Sequence, residues 1–104
     1  METADVTVPV LIAVSALPGA IFYRQNTGTF LTLDGRRVVK VAPPGVGDIM
    51  GAYRGRPVAI ETKVPRGTLR PTQRRFRDAW TAAGGVYIVA RSPADALAAL
   101  AKLQ

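Results

Sequence analysis

Asp48, Glu61 and Lys63 stand where this chain otherwise reads as core strand. Glu61-Thr62-Lys63 interrupts the apolar run 58–64, and Asp48 opens another run, 48–53. Charged side chains are almost never fully buried without a partner. Strand side chains alternate faces, so Glu61 and Lys63 share one face with Ala59, which leaves it open, while Ile60 and Thr62 take the other. Pairing of the two runs as a hairpin sets Asp48 opposite the end of the second strand, beside Glu61 and Lys63. Two neighbouring carboxylates repel unless a cation sits between them. Lys63 partly serves. A hard divalent ion serves better, since Mg²⁺ keeps waters and takes one or two protein carboxylates. Such an ion acidifies a bound water and clamps phosphoryl oxygens. Lys63 would then orient or deprotonate the attacking water and stabilise the developing charge. The competing reading of Glu-x-Lys is an ordinary ion pair at a strand end.

Gln73 adds to this set. After Pro71, Phe76, Trp80 and Ala83 recur at i, i+4 and i+7, an apolar helical stripe. Gln73 stands three residues before Phe76, at the N-terminal end of the stripe, and therefore faces the sheet. A buried amide needs a partner, either the acidic pair or local backbone. The helix start also favours an anion. Arg66, Arg70, Arg74, Arg75 and Arg77 surround it, with Arg54 and Arg56 on an adjoining turn and Arg24, Arg36, Arg37 and Lys40 on earlier strands. Each alone is an ordinary surface charge. The cluster over 66–77, with Asp78 adjoining it, reads as a phosphate track.

The elements that hold these residues follow from periodicity and punctuation. An apolar pattern over 8–17, with Thr7 as N-cap and Pro9 in the first turn, predicts a helix ended by Pro18-Gly19. Residues 20–25 read as a strand and Asn26-Thr27-Gly28 as a turn. A short extension over 29–33 meets the hairpin-type turn Asp34-Gly35. A strand over 38–41 precedes the stiff loop Pro43-Pro44-Gly45. Strands over 48–53 and 58–64 flank the tight turn Arg54-Gly55 and pair as a hairpin. A Gly- and Arg-bearing loop, 65–70, leads to a helix from Pro71 to about residue 83, ended by Gly84-Gly85. Residues 86–90 form an apolar strand. Ser92 caps the last helix, with Asp95 as its capping partner. This order predicts a mixed α/β domain around one central sheet.

Composition narrows the chemistry. A chain of 104 residues with 48% hydrophobic residues suits one domain with a real core. Cysteine and histidine are both absent, which excludes disulfides, thiolate catalysis, a Ser-His-Asp triad and a histidine-held metal. The net charge is +7, from 14 Lys+Arg against 7 Asp+Glu, and most of the cations are Arg. Arg forks onto phosphate oxygens, so a polyanion is the expected partner, nucleic acid ahead of a membrane surface. The apolar stretch 8–14 is far too short to span a bilayer. No basic leader precedes it, so the expected location is intracellular.

Five segments match a known pattern in order and spacing: Phe22-Tyr23-Arg24-Gln25-Asn26-Thr27-Gly28; Gly45-Val46-Gly47-Asp48-Ile49; Ile60-Glu61-Thr62-Lys63; Gly67-Thr68-Leu69-Arg70-Pro71-Thr72-Gln73; and Gly84-Gly85-Val86-Tyr87-Ile88-Val89-Ala90-Arg91-Ser92. Over about residues 20 to 95 the chain resembles a VRR-NUC domain, a branch of the PD-(D/E)XK nuclease superfamily. The resemblance implies one nuclease domain over 1–104, with a restriction-endonuclease-like central mixed β-sheet flanked by helices. It implies hydrolysis of DNA phosphodiesters with Mg²⁺ or Mn²⁺. By position, Asp48, Glu61 and the backbone carbonyl of Thr62 correspond to metal ligands, Lys63 to the catalytic lysine, and Gln73 to a glutamine that orders the site. Asn26 corresponds to a polar residue near the site, and Arg66, Arg70, Arg74 and Arg75 are the expected DNA contacts.

The match has departures. Gly47-Asp48 replaces the usual Pro-Asp, which implies a looser turn. The acidic residue that many members carry on the first helix has no clear counterpart, since Glu2 and Asp5 precede the expected helix. Arg70 stands where a capping serine is common. Small stand-alone members resemble phage-encoded, junction-cleaving homodimers. That implies a homodimer acting on branched DNA, such as four-way junctions or flaps, in the cytoplasm (the host cell's, for a phage protein). The competing expectation is a non-catalytic basic DNA-binding module on the same fold.

Overall fold

The computed structural model describes residues 4–25, 29–40 and 45–103. The elements run α1 (Ala4–Ser15), β1 (Ala20–Arg24), β2 (Thr29–Leu31), β3 (Val38–Lys40), β4 (Ile49–Tyr53), β5 (Arg56–Thr62), α2 (Pro71–Ala82), β6 (Val86–Ala90) and α3 (Pro93–Ala101). Four strands form one sheet in the order β1-β4-β5-β6. β4 is antiparallel to both β1 and β5, whereas β6 lies parallel to β5. The parallel pair needs a crossover, which α2 supplies. β2 and β3 form a separate two-stranded hairpin. The protein is thus mixed α/β with a mixed sheet. Among the described residues no helix is long and apolar enough to cross a membrane.

Alternation along the central strands divides the core into two layers. Val58, Ile60 and the β4 residues Ile49 and Tyr53 face one side, where they meet Val6, Val10 and Val14 of α1 and Ala96 and Leu100 of α3. Ala59 and Met50 face the other side, where Phe76 and Trp80 of α2 cover them together with Tyr87. Ala59 is therefore fully buried. The open face expected around it is closed by the aromatic stripe of α2.

Several boundaries differ from the sequence reading: α1 ends at Ser15 and β5 at Thr62, each two residues early, and two element starts move for physical reasons. α1 starts at Ala4, so Pro9 lies inside the helix rather than in its first turn, and Thr7 is a helical residue rather than the cap. An internal proline removes one backbone hydrogen bond and costs about 3 kcal/mol. Burial of Val6, Val10 and Val14 along one face offsets that cost. β5 starts at Arg56 because the β4–β5 hairpin closes in two residues, with Tyr53 paired to Arg56. Arg54 and Gly55 both take positive φ, 49° and 82°, as a two-residue hairpin of this twist requires. The Arg54 guanidinium lies 5.6 Å from the Tyr53 ring centroid. The Asn26 turn and the Pro43-Pro44 stretch lie outside the described residues.

Candidate active site

The C-terminal end of β5 is where both layers meet. Ile49 pairs with Ile60, so Asp48, just before β4, arrives beside the last residues of β5. Its Oδ2 accepts from the Thr62 backbone N–H at 2.9 Å and from the Thr62 hydroxyl at 2.8 Å. Thr62 is fully buried on the α1 side, and its hydroxyl contacts that of Thr7 at 2.5 Å. Since the Thr62 proton goes to Asp48, Thr7 supplies the proton of this contact. A helix in one layer thereby reaches Asp48 through two hydroxyls.

Glu61 points to the opposite layer and is 3% exposed. Its Oε1 accepts from Gln73 Nε2 at 2.7 Å and lies 3.6 Å from Lys63 Nζ. Gln73 is itself buried, and its Oε1 accepts the Arg70 N–H at 2.8 Å. Arginine has no acceptor atom, so the α2 N-terminus keeps this one half of a capping box. One amide thus serves both alternatives left open by its position, the acidic residue and the local backbone.

Electrostatics at this end are unbalanced. Burial first, and then the facing Asp48 carboxylate, push Glu61 from the ordinary 4.5 up to about 7, and the Lys63 ammonium only partly opposes them. Glu61 Oε2 is buried without a hydrogen-bond partner. The Tyr87 hydroxyl is a second such atom. Burial raises the pKa of this phenol, and the charges of Glu61 and Asp48 raise it further. An unpaired carboxylate oxygen beside a second carboxylate is a place that a cation fits. Among the described residues no three Asp, Glu, His or Cys side chains converge. An ion held here would therefore use two carboxylates with backbone or water oxygens, which is the habit of Mg²⁺.

The structure brings Asp48, Glu61, Thr62, Lys63 and Gln73 together. Arg66, Arg70, Arg74 and Arg75 are all exposed on loop 65–70 and the first turns of α2. Arg74 Nη1 donates to the Leu69 carbonyl at 2.8 Å, and Arg77 pairs with Asp78 at 3.0 Å. Asn26 lies outside the described residues; its neighbour Gln25 donates its N–H to the Asp48 carbonyl at 2.8 Å. Gly47 packs closely on β5: a Cβ there would sit 3.1 Å from the Ile60 carbonyl oxygen. One local expectation is refined. Asp5 lies inside α1, in its first turn, and is exposed. Thr7, rather than a carboxylate, is the α1 residue that reaches the site.

Three residues were missed as site components. Thr7 carries a signal, since it shares the i+3, i+7 spacing of Val10 and Val14. Tyr87 is two residues before Val89, the register partner of Glu61, but no local pattern announces that register. Arg91 Nη2 donates to the Gly67 carbonyl at 2.8 Å, across 24 residues of sequence. No protein-family model matches the chain, and comparison with curated proteins gives no match.

Proposed function

We propose that this protein is a metal-dependent, structure-selective DNA endonuclease of the VRR-NUC kind, with a restriction-endonuclease-like core, acting as a homodimer on branched DNA such as four-way junctions or flaps. The observation that carries this reading is the carboxylate pair at the end of β5. Glu61 Oε2 is buried and unpartnered, Asp48 faces it, and Lys63 stands alongside. A plain ion pair accounts for Lys63 and one oxygen of Glu61. It leaves the second oxygen of Glu61, which faces the like charge of Asp48, without a donor.

Asp48, Glu61 Oε2 and the Thr62 carbonyl would hold Mg²⁺ or Mn²⁺. When bound, such an ion acidifies a water and draws charge from phosphoryl oxygens. The remaining steps belong to the chain. The Thr62 N–H and hydroxyl fix Asp48. Gln73 occupies Glu61 Oε1 and so turns Oε2 to the site. Lys63 orients the water that attacks phosphorus and stabilises the negative charge that grows there. The exposed arginines of loop 65–70 and α2 hold flanking phosphates.

Two active sites are needed to cut two strands of a branched duplex symmetrically, which favours a dimer. The test is cleavage of duplex, flap, fork and four-way DNA with Mg²⁺ or Mn²⁺, by wild type, Lys63→Ala and Asp48→Asn. Both variants should bind DNA and fail to cut it. Cleavage by Lys63→Ala at the wild-type rate would sink the proposal. DNA binding without metal-dependent cutting on any substrate would favour the non-catalytic module.

A further inference from the structure

Lys63 lies past the last residue of β5, beyond the reach of the β4 ladder. Its N–H still donates to the Ala90 carbonyl at 3.0 Å, so its backbone is held by β6. Its side chain is only 13% exposed. The loop that follows lies against its stem. Gly67 closes a tight turn by donating its N–H to the Val64 carbonyl at 2.8 Å. A Cβ on Gly67 would stand 3.3 Å from Lys63 Cδ and 3.4 Å from its Cβ. The bare α-carbon therefore rests on the lysine stem and limits where the ammonium can swing.

A loop of this kind needs its own anchor, and Arg91 supplies one. Its Nη2 donates to the Gly67 carbonyl at 2.8 Å. The arginine is in turn set by the start of α3. Its N–H donates to Asp95 Oδ2 at 2.9 Å, and the Asp95 N–H donates to Ser92 Oγ at 3.1 Å. The capping of α3 thus fixes the backbone of Arg91, Arg91 fixes Gly67, and Gly67 confines Lys63.

We propose that Arg91 is a positioning residue for Lys63, acting through the Gly67 carbonyl. The catalytic consequence rests on the nuclease reading, whereas the mechanical one does not. Arg91 has been placed among neither the metal ligands nor the phosphate contacts, and a direct phosphate role predicts a different outcome. Misplacing a reacting group by about 1 Å costs up to about 100-fold in rate. Loss of the anchor therefore appears in kcat, whereas loss of a phosphate contact appears in DNA affinity and in its salt dependence.

The experiment compares wild type, Arg91→Ala and Arg91→Lys. Lysine keeps a cation and one donor long enough to reach the carbonyl. DNA affinity is measured by fluorescence anisotropy in Ca²⁺, cleavage in Mg²⁺, and Lys63 side-chain order by NMR of the ammonium and Cε groups. The chain has only three lysines, so the signal is readily assigned. Arg91→Ala should leave DNA affinity within about twofold, lower kcat about tenfold or more, and increase the mobility of Lys63. Arg91→Lys should restore both. Unchanged Lys63 order in Arg91→Ala overturns the proposal, whether or not the protein cuts DNA. A loss confined to DNA affinity also overturns it, in favour of a phosphate contact. Altered Lys63 order without any cleavage by wild type supports the clamp and counts against the nuclease reading.

Discussion

Replacing Glu61 by glutamine should make the metal-free protein more stable at alkaline pH and hardly change it in acid. Unfolded, Glu61 titrates near 4.5; folded, it titrates near 7, because burial and then Asp48 outweigh Lys63. Below pH 4.5 both states carry the proton and no penalty exists. Between 4.5 and about 7 the folded state binds more protons than the unfolded state, so stability falls as pH rises. Above about 7 the loss is complete. The gap is worth about 3 kcal/mol at about 1.4 kcal/mol per tenfold change in proton affinity. Glutamine is neutral throughout. Its Oε1 can still accept from Gln73, and its amide nitrogen can donate toward Asp48. Glu61→Gln should therefore exceed wild type by about 1 kcal/mol at pH 5 and about 3 kcal/mol at pH 8. For a domain of this size that corresponds to a melting shift of roughly 10 °C or more at pH 8. The assay is thermal and urea unfolding by circular dichroism in EDTA. The two proteins differ at this one side chain, so the pH-dependent difference reports on Glu61 and its coupling to Asp48. A Glu61→Gln protein less stable than wild type at pH 8, or a difference equal at both pH values, would refute the reasoning. Under the proposed function, Mg²⁺ should stabilise wild type and leave Glu61→Gln unmoved.

Thr62→Val removes the hydroxyl that joins Thr7 to Asp48 while keeping side-chain volume; a loss of about 1–3 kcal/mol is expected in urea unfolding. Gln73→Ala strips Glu61 Oε1 of its donor and Arg70 of its acceptor, and the same assay should register a loss of at least about 1–3 kcal/mol. Combined Arg70→Ala, Arg74→Ala and Arg75→Ala should leave the melting temperature nearly unchanged. It should lower the slope of log affinity against log salt by about 3; an unchanged slope in anisotropy titrations would remove these residues from the DNA-binding surface.

How far the sequence reveals this structure depends on whether the deciding contacts are local. The Arg54-Gly55 turn, the Ser92–Asp95 cap and the inward face of Gln73 each follow from neighbours within one or two turns of chain, and the structure has all three. The convergence of Asp48 with β5 follows from hairpin pairing, which is also short-range. The start of α1 was misplaced because Thr7 looks like a cap locally, whereas burial of Val6 and Thr7 against the sheet draws them into the helix. The closure over Ala59 depends on Phe76 and Trp80 arriving from another layer. Tyr87 and Arg91 owe their places to the parallel β5–β6 register and to a contact spanning 24 residues. No local spacing encodes either.

The hairpin of β2 and β3 leaves and returns to the sheet between two strands that are already neighbours. β1 and β4 pair directly, and the Gln25 N–H on the Asp48 carbonyl closes the base of the excursion. The central sheet is thus complete without anything carried in between. Such an appendage is a natural site of evolutionary tinkering: it can lengthen, shrink or exchange its charges while the strand register beneath it stays the same. Because the excursion closes on the Asp48 backbone, the register that sets this carboxylate at the end of β5 does not depend on what the hairpin carries.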